Sequence, residues 1–243
     1  MKYISTGGAG DAFISFLKLK SRVELFREKP KWLHVESNDI VGGICSDLFS
    51  SNGYFSDIGL NFSFECDRDY IQHYKEQKWN DYIPVSSGHD LFCPLKGLTK
   101  VEMLNPFLNS LEPPEQKLYD ICIQASGGAK NNRKWLFSPI DFAEILRKKG
   151  LKVCIVGTDM NFFDQKDVHN LIGKFSINSV FSVINQSKKF IGLSGLLNYY
   201  ACAKRVPNMH LMESDEHEQR YYHQMWNSEK LKVGSFAEVW RMI

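Results

Sequence analysis

Residues 119–159 read YDICIQASGGAKNNRKWLFSPIDFAEILRKKGLKVCIVGTD, and this stretch decides the fold. It opens with Tyr119-Asp-Ile-Cys-Ile-Gln124, which predicts a strand around the apolar run Ile121-Cys-Ile123 and breaks into the small-residue loop Ala125-Ser-Gly-Gly-Ala129. A basic cluster, Lys130-Asn-Asn-Arg-Lys-Trp135, follows. Next comes a helix with its ends marked: Ser138 as N-cap, Pro139 at the first helical position, Asp141 three after the cap, and Gly150 just past the last turn. Leu151-Lys-Val-Cys-Ile-Val156 then reads as a buried parallel strand ending in Gly157-Thr-Asp159. Strand, loop, helix, strand is the unit of a parallel sheet.

The same alternation continues toward the C-terminus. A short strand is predicted at 169–172, a helix through Val180, Phe181 and Ile184, and a strand at 189–193. Ser194-Gly195 opens a further helix to about Lys204, and 208–212 reads as the last strand. The tail from Asp215 reads as a polar aromatic helix (Tyr221, Tyr222, Trp226) and a terminal amphipathic one (Phe236, Val239, Trp240). Toward the N-terminus, the segment 96–117 carries Pro106, Pro113 and Pro114 among charged residues, which suits a connector. Two domains are therefore expected, 1–110 and 111–243.

The first domain starts with a strand at 2–6, the turn Gly7-Gly-Ala-Gly10, and a helix from about Asp11 with Phe13, Phe16, Leu17 and Leu19 on one face. A strand at 32–35 precedes a helix from 38 or 39 to 49. Segments at 54–60, 82–85 and 91–95 read as short apolar runs, with a polar helix at about 69–77. The expected class is α/β, with two Rossmann-like halves that each carry a glycine-bearing loop after the first strand.

Composition narrows the function classes. With 43% hydrophobic and 24% charged residues the chain is globular rather than disordered or collagenous. A formal charge of only +2 lacks the basic footprint of a dedicated nucleic-acid binder, so nucleic acid is the less expected partner. No run approaches the roughly 18–20 apolar residues of a membrane span. No basic region followed by an apolar signal core opens the chain, so a cytoplasmic protein is expected. The six cysteines form no CxxC pair and read as small buried thiols. There is no HExxH, and His217 and His223 are spaced wrongly to share a helical face, so no metal site is expected.

In an open α/β sheet, ligands sit beyond the carboxyl ends of the strands. Four positions follow strands. At Gly7-Gly-Ala-Gly-Asp11 the backbone of Gly8 and Gly10 can approach a ligand. There Asp11 is either a helix-capping carboxylate or a general base for a hydroxyl nucleophile. At Ser126-Gly127-Gly128, backbone amides stand beside Lys130, Arg133 and Lys134, either as a solvated basic loop or as a diphosphate site. Ser194-Gly195 at a helix N-terminus is either an anion site through unpaired amides and the helix dipole or an ordinary α/β turn. Gly157-Thr158-Asp159 is a turn or a contact to a ribose or base.

Together these residues resemble the heptosyltransferase-like family of glycosyltransferases, family nine, with similarity clearest between Asp120 and Met212. The matching pieces are Ile123-Gln-Ala-Ser-Gly127, Arg133-Lys134-Trp135, the strand 153–157, Asn170-Leu-Ile-Gly-Lys-Phe-Ser-Ile177, and the opening Gly10-Asp11. Where the family reads Asp-Ser-Gly-x-x-His, this chain reads Leu193-Ser194-Gly195-Leu-Leu-Asn198. The family lysine two before the tryptophan is Arg133 here, beside Lys134. The resemblance implies a compact GT-B architecture, two Rossmann-like domains facing across a cleft, with the acceptor on the N-terminal domain and the nucleotide sugar on the C-terminal one. It implies inverting, metal-independent and cofactor-free sugar transfer to an acceptor glycan, lipid-linked sugar or other hydroxyl compound. Asp11 would be the base, and Arg133, Lys134, Gly195 and Asn198 would lie around the diphosphate.

Two other classes fit part of the pattern. Gly8-Ala-Gly10 with Glu36 after the second strand echoes a NAD(P)-binding oxidoreductase, with Phe13 at the third glycine position. A non-catalytic sugar-nucleotide-binding protein would accommodate the changes at Leu193 and Asn198.

Overall fold

A strand that is apolar at every position is stable only where both faces are covered, and β6 (Val153–Val156) is buried at all four residues. The computed structural model describes residues 2–26, 31–36, 58–60, 83–84, 117–126, 135, 137–157, 169–170, 177–193, 195–204, 206–211 and 231–234. The chain divides into two compact units, Met1–Ser110 and Leu111–Ile243.

In the second unit, β5 (Tyr119–Gln124), α2 (Pro139–Lys148), β6, β7 (His169–Asn170), α3 (Ile177–Asn185), β8 (Ser187–Leu193), α4 (Leu196–Ala203), β9 (Asn208–Leu211) and β10 (Leu231–Gly234) follow in order. The six strands lie in the order β10-β9-β8-β5-β6-β7, and every pairing is parallel. Ile121, Ile123, Ala125, Val153, Ile155, Ile191 and Leu193 pack on one face against Ile140, Phe142, Ala143 and Leu146 of α2. Because side chains alternate along a strand, Cys122, Cys154 and Phe190, all fully buried, lie on the other face. α3 and α4 pack against β8, tied by Phe181 and Tyr200, whose rings stack with centroids 3.7 Å apart. Burial pushes the Tyr200 hydroxyl up to about 12.

The α2 signals act as their chemistry predicts. Ser138 Oγ accepts the Asp141 N–H at 3.2 Å, meeting one of the donors a helix start leaves unpaired. At the other end Gly150 takes φ +86°, and the N–H groups of Gly150 and Leu151 bond the carbonyls of Arg147 and Leu146 at 2.8 and 3.2 Å. That is a Schellman closure, whose left-handed residue glycine occupies without strain. At the amino edge of the sheet, Asp120 accepts from Lys188 Nζ at 2.7 Å and from the Lys152 N–H at 2.8 Å. The Lys188 ammonium holds the Asp120 carboxyl below its ordinary range.

The first unit contains β1 (Lys2–Gly7), α1 (Ala9–Phe26), β2 (Lys31–Glu36), β3 (Ile58–Leu60) and β4 (Ile83–Pro84). They form a parallel sheet of order β3-β2-β1-β4. Tyr3, Ile4, Ala12, Phe13, Ile14 and Leu19 are buried, so the apolar positions of β1 and α1 supply the core between them.

One expectation is corrected. The strand at 208–212 is not the last, because β10 pairs parallel with β9 from Leu231↔Asn208 to Gly234↔Leu211. Leu231-Lys-Val-Gly has only two apolar residues, too few for a periodic signal, and it becomes a strand because β9 offers an edge. The expected helices at 38–49 and 69–77, the run 91–95 and both expected tail helices lie outside the described residues.

Candidate nucleotide site

Strand order determines where a ligand can approach. Counted along the second unit, the order is 3-2-1-4-5-6, the doubly wound arrangement of dinucleotide-binding sheets. The chain leaves β5 toward β6 and β7 on one side, then crosses to β8, β9 and β10 on the other. The crevice of such a sheet opens beyond the carboxyl ends of the two strands at the reversal. Here they are β5 and β8, followed by Ala125-Ser126 and by Gly195 with α4.

The loop after β5 is fixed from three directions. Trp135 Nε1 donates to the Gln124 carbonyl at 2.7 Å, while its ring packs edge-on against Phe137 at 5.4 Å and tilted against Phe142 at 5.9 Å. The Gln124 side chain turns back on its own loop and donates from Nε2 to the Ser126 carbonyl at 2.8 Å. The Ala125 N–H bonds the Val156 carbonyl at 2.8 Å. That brings Gly157 beside Ser126: a Cβ at Gly157 would stand 2.9 Å from Ser126 Oγ. Two of the expected positions, Ser126 and Gly157, are thus brought together at the ends of neighbouring strands.

After β8, the Gly195 carbonyl accepts the Tyr199 N–H at 3.1 Å and begins α4. The first amides of a helix lack intrahelical acceptors, and with the helix dipole they favour an anion. Asn198 has a different place from the one expected of it. It is fully buried, and its Nδ2 donates to the Leu193 carbonyl at 2.9 Å, so the side chain braces the turn from β8 into α4. Leu193 itself is buried in the core.

In the first unit the Gly8 N–H donates to Asp11 Oδ2 at 2.8 Å, and the Ala12 N–H bonds the Gly8 carbonyl at 3.0 Å. Asp11, third residue of α1, thus reaches back to the residue before the helix, the carboxylate half of a capping box. It is half-buried. Gly10 lies between them in the first turn of α1. Glu36, last residue of β2, stands in register with Gly7. Phe13, which stands where the fingerprint has its third glycine, is buried, so the close helix–strand approach that glycine permits is not built here.

Arg133, Lys134, Gly127, Gly128, Thr158, Asp159 and Ser194 lie outside the described residues. Among the described residues, no three His, Cys, Asp or Glu side chains gather as a metal ion would need, and no helix is long and apolar enough to cross a membrane. Cys122 and Cys154 are buried free thiols, and burial pushes the Cys122 thiol well up.

Sequence reasoning passed over Gln124 and Gly192. The signal for the first was a lone amide directly after the apolar run Ile121-Cys-Ile123. For Gly192 it was a glycine inside the buried run of β8, which marks a close approach. A Cβ at Gly192 would stand 2.8 Å from Gln124 Oε1 and 2.6 Å from the Phe190 ring.

No protein-family model matches the sequence, and no curated protein matches it. Solved structures match over nearly the whole chain at low identity. A family 9 glycosyltransferase from Veillonella parvula DSM 2008 has a TM-score of 0.57 at 11% identity, covering 99% of this chain and 87% of its own. The E. coli ADP-heptose lipopolysaccharide heptosyltransferase II has a TM-score of 0.58 at 12% identity, covering 96% and 90%. The E. coli heptosyltransferase WaaC with ADP has a TM-score of 0.54 at 9% identity, covering 97% and 93%. The chain shares the fold of the heptosyltransferases of glycosyltransferase family nine.

Proposed function

We propose that this chain, built on the fold of family-nine heptosyltransferases, is a glycosyltransferase. It moves a sugar from a nucleoside-diphosphate donor to an acceptor hydroxyl, with inversion at the anomeric carbon and without a metal ion. The observation that carries the reading is the whole-chain likeness to those enzymes at TM-scores of 0.54 to 0.58. The switch point between β5 and β8 supports it, because Ala125-Ser126 and the start of α4 at Gly195 follow the two strands there, where a diphosphate needs amide donors. Two of the similar structures are an ADP-heptose transferase and an enzyme with ADP, so ADP and ADP-sugars are the first ligands to try.

In this reading the C-terminal unit holds the nucleotide sugar and the N-terminal unit serves the acceptor, as in a compact GT-B enzyme. The acceptor oxygen attacks the anomeric carbon and its proton passes to Asp11. The bond from that carbon to the phosphate oxygen breaks, and the nucleoside diphosphate leaves with the electron pair. The Gly8 N–H aims the Asp11 carboxylate. Arg133, Lys134 and the amides at Ser194 and Gly195 meet the charge that grows on the departing diphosphate, which is where stabilisation accelerates transfer. Ser126, Gly127 and Gly128 line the diphosphate, and Gly157, Thr158 and Asp159 lie on the nucleoside side. Asn198 acts through the turn it braces.

The test is thermal unfolding with each nucleoside diphosphate and with NAD(P), followed by release of nucleoside diphosphate from nucleotide sugars with hydroxyl acceptors. A ligand at 100 times its dissociation constant adds about 2.7 kcal/mol, so binding is easily read. Stabilisation by NAD(P) alone would replace this reading with the oxidoreductase. Stabilisation by a nucleoside diphosphate, with no transfer from any of its sugars, would favour a binding protein.

A further inference from the structure

Among the described residues four buried side-chain oxygens have no hydrogen-bond partner, on Ser15, Gln124, Asn185 and Asn198; the Gln124 amide is the one at the carboxyl end of β5, beside the reversal in strand order. Gln124 is 6% exposed. Its Nε2 donates to the Ser126 carbonyl at 2.8 Å, and its Oε1 has no hydrogen-bond partner among the described residues. The orientation is set by the Ser126 carbonyl, since exchanging oxygen and nitrogen would put two acceptors face to face. A buried amide oxygen without a partner is destabilising. For fold alone, an apolar side chain of the same length would serve better at this position.

The surroundings are nonetheless shaped to hold this side chain. Residue 192 is glycine, and any Cβ there would come within 2.8 Å of Gln124 Oε1. The Gln124 carbonyl is held by Trp135 Nε1 at 2.7 Å. Behind Ser126, the absent Cβ of Gly157 lets the serine come close; a methyl there would stand 2.9 Å from its Oγ. The amide therefore joins the end of the central strand β5 to the carbonyl of Ser126, the residue that precedes Gly127 and Gly128 in the sequence.

We propose that Gln124 is a positioning residue for the donor: its side-chain amide holds the Ser126 backbone at the carboxyl end of β5, where the diphosphate of the nucleotide sugar would bind. This rests on the function proposed above. Buried polar groups that destabilise a fold are kept where they hold a site in shape, and the unpartnered Oε1 is the structural cost of that hold.

The test compares wild type with Gln124→Met and Gln124→Glu by titration with ADP, UDP, GDP and CDP, alongside thermal unfolding and donor kinetics. Gln124→Met keeps the length, removes the donor and removes the unpartnered oxygen. It is expected to unfold no lower than wild type. It should bind the preferred diphosphate about 3- to 10-fold more weakly, the range that loss of one hydrogen bond produces. Donor KM should rise while acceptor KM stays unchanged. Gln124→Glu supplies a group that donates only when protonated, so its affinity relative to wild type should recover as the pH is lowered from about 8 to about 5.5. A purely structural role would move stability, would not separate donor from acceptor KM, and would give no such recovery. If wild type binds one of the four diphosphates and Gln124→Met binds it equally well, the positioning role is refuted and the proposed function stands. If wild type binds none of them, both fall.

Discussion

Gly192→Ala is the substitution whose effect follows most directly from the geometry. The added methyl would stand 2.6 and 2.8 Å from two carbons of the Phe190 ring and 2.8 Å from Gln124 Oε1, whereas ordinary carbon contacts lie near 3.5–4.0 Å. Phe190 is wholly buried, so the ring cannot swing into solvent. Overpacking of this kind costs about 1–3 kcal/mol, and alanine in a strand returns about 0.5–1 kcal/mol of backbone entropy relative to glycine. The net loss is about 1–2 kcal/mol, or a fall in Tm of about 2–8 °C for a chain of this size. Calorimetry or urea denaturation reads it, with Gly150→Ala as the contrast. Nothing stands within 4 Å of a Cβ at Gly150, so its cost comes from φ +86° alone. Ligand affinity should drop for Gly192→Ala and not for Gly150→Ala, because only the first displaces Gln124. A Gly192→Ala protein as stable as wild type would mean that Phe190 and Gln124 do not close over β8 as described.

Three further outcomes are expected. Ser138→Ala removes the acceptor for the Asp141 N–H and should cost about 1 kcal/mol in denaturant unfolding, the usual value of an N-cap. Lys188→Met removes the partner that lowers the Asp120 pKa. A lowered carboxylate pKa contributes stability above the unfolded value, near 4, and loses it as pH falls through the folded one. The variant should therefore be less stable than wild type by under about 1 kcal/mol at pH 7, since Lys188 is exposed, and equal to it in acid. Asp11→Asn retains an oxygen for the Gly8 N–H, so nucleotide binding and stability should persist while transfer falls at least ~100-fold. Wild-type turnover would leave Asp11 as a cap and nothing more.

The parts legible in the sequence are those set by local chemistry. Ser138, Pro139, Asp141 and Gly150 each act within one turn of chain, and the ends of α2 follow from them. The run 153–156 is apolar throughout because both faces are covered. Strand order has no local signature: it came only with the Rossmann-like class as a whole, because it depends on where the crossover lands. β10 was missed for the same reason: an edge strand of four residues is made by its neighbour. At the site, glycine and serine turns were visible as loops after strands, but the meeting of Ser126 with Gly157 needed the pairing of β5 with β6. Gln124 looked like the polar end of a strand, and only its fold-back onto Ser126 and the gap at Gly192 give it a role. Asn198 looked like a ligand group because of where the resemblance put it, yet it is fully buried and bonded to the Leu193 carbonyl.

The most direct test of the proposed function is a crystal structure of the full chain with ADP, or with whichever nucleoside diphosphate stabilises it most. The expected result is the diphosphate at the carboxyl ends of β5 and β8, against the amides after Ser126 and at the start of α4. Density for the diphosphate instead at the Gly8–Gly10 turn after β1, with the ribose on Glu36, would contradict the transferase and establish the dinucleotide-binding alternative.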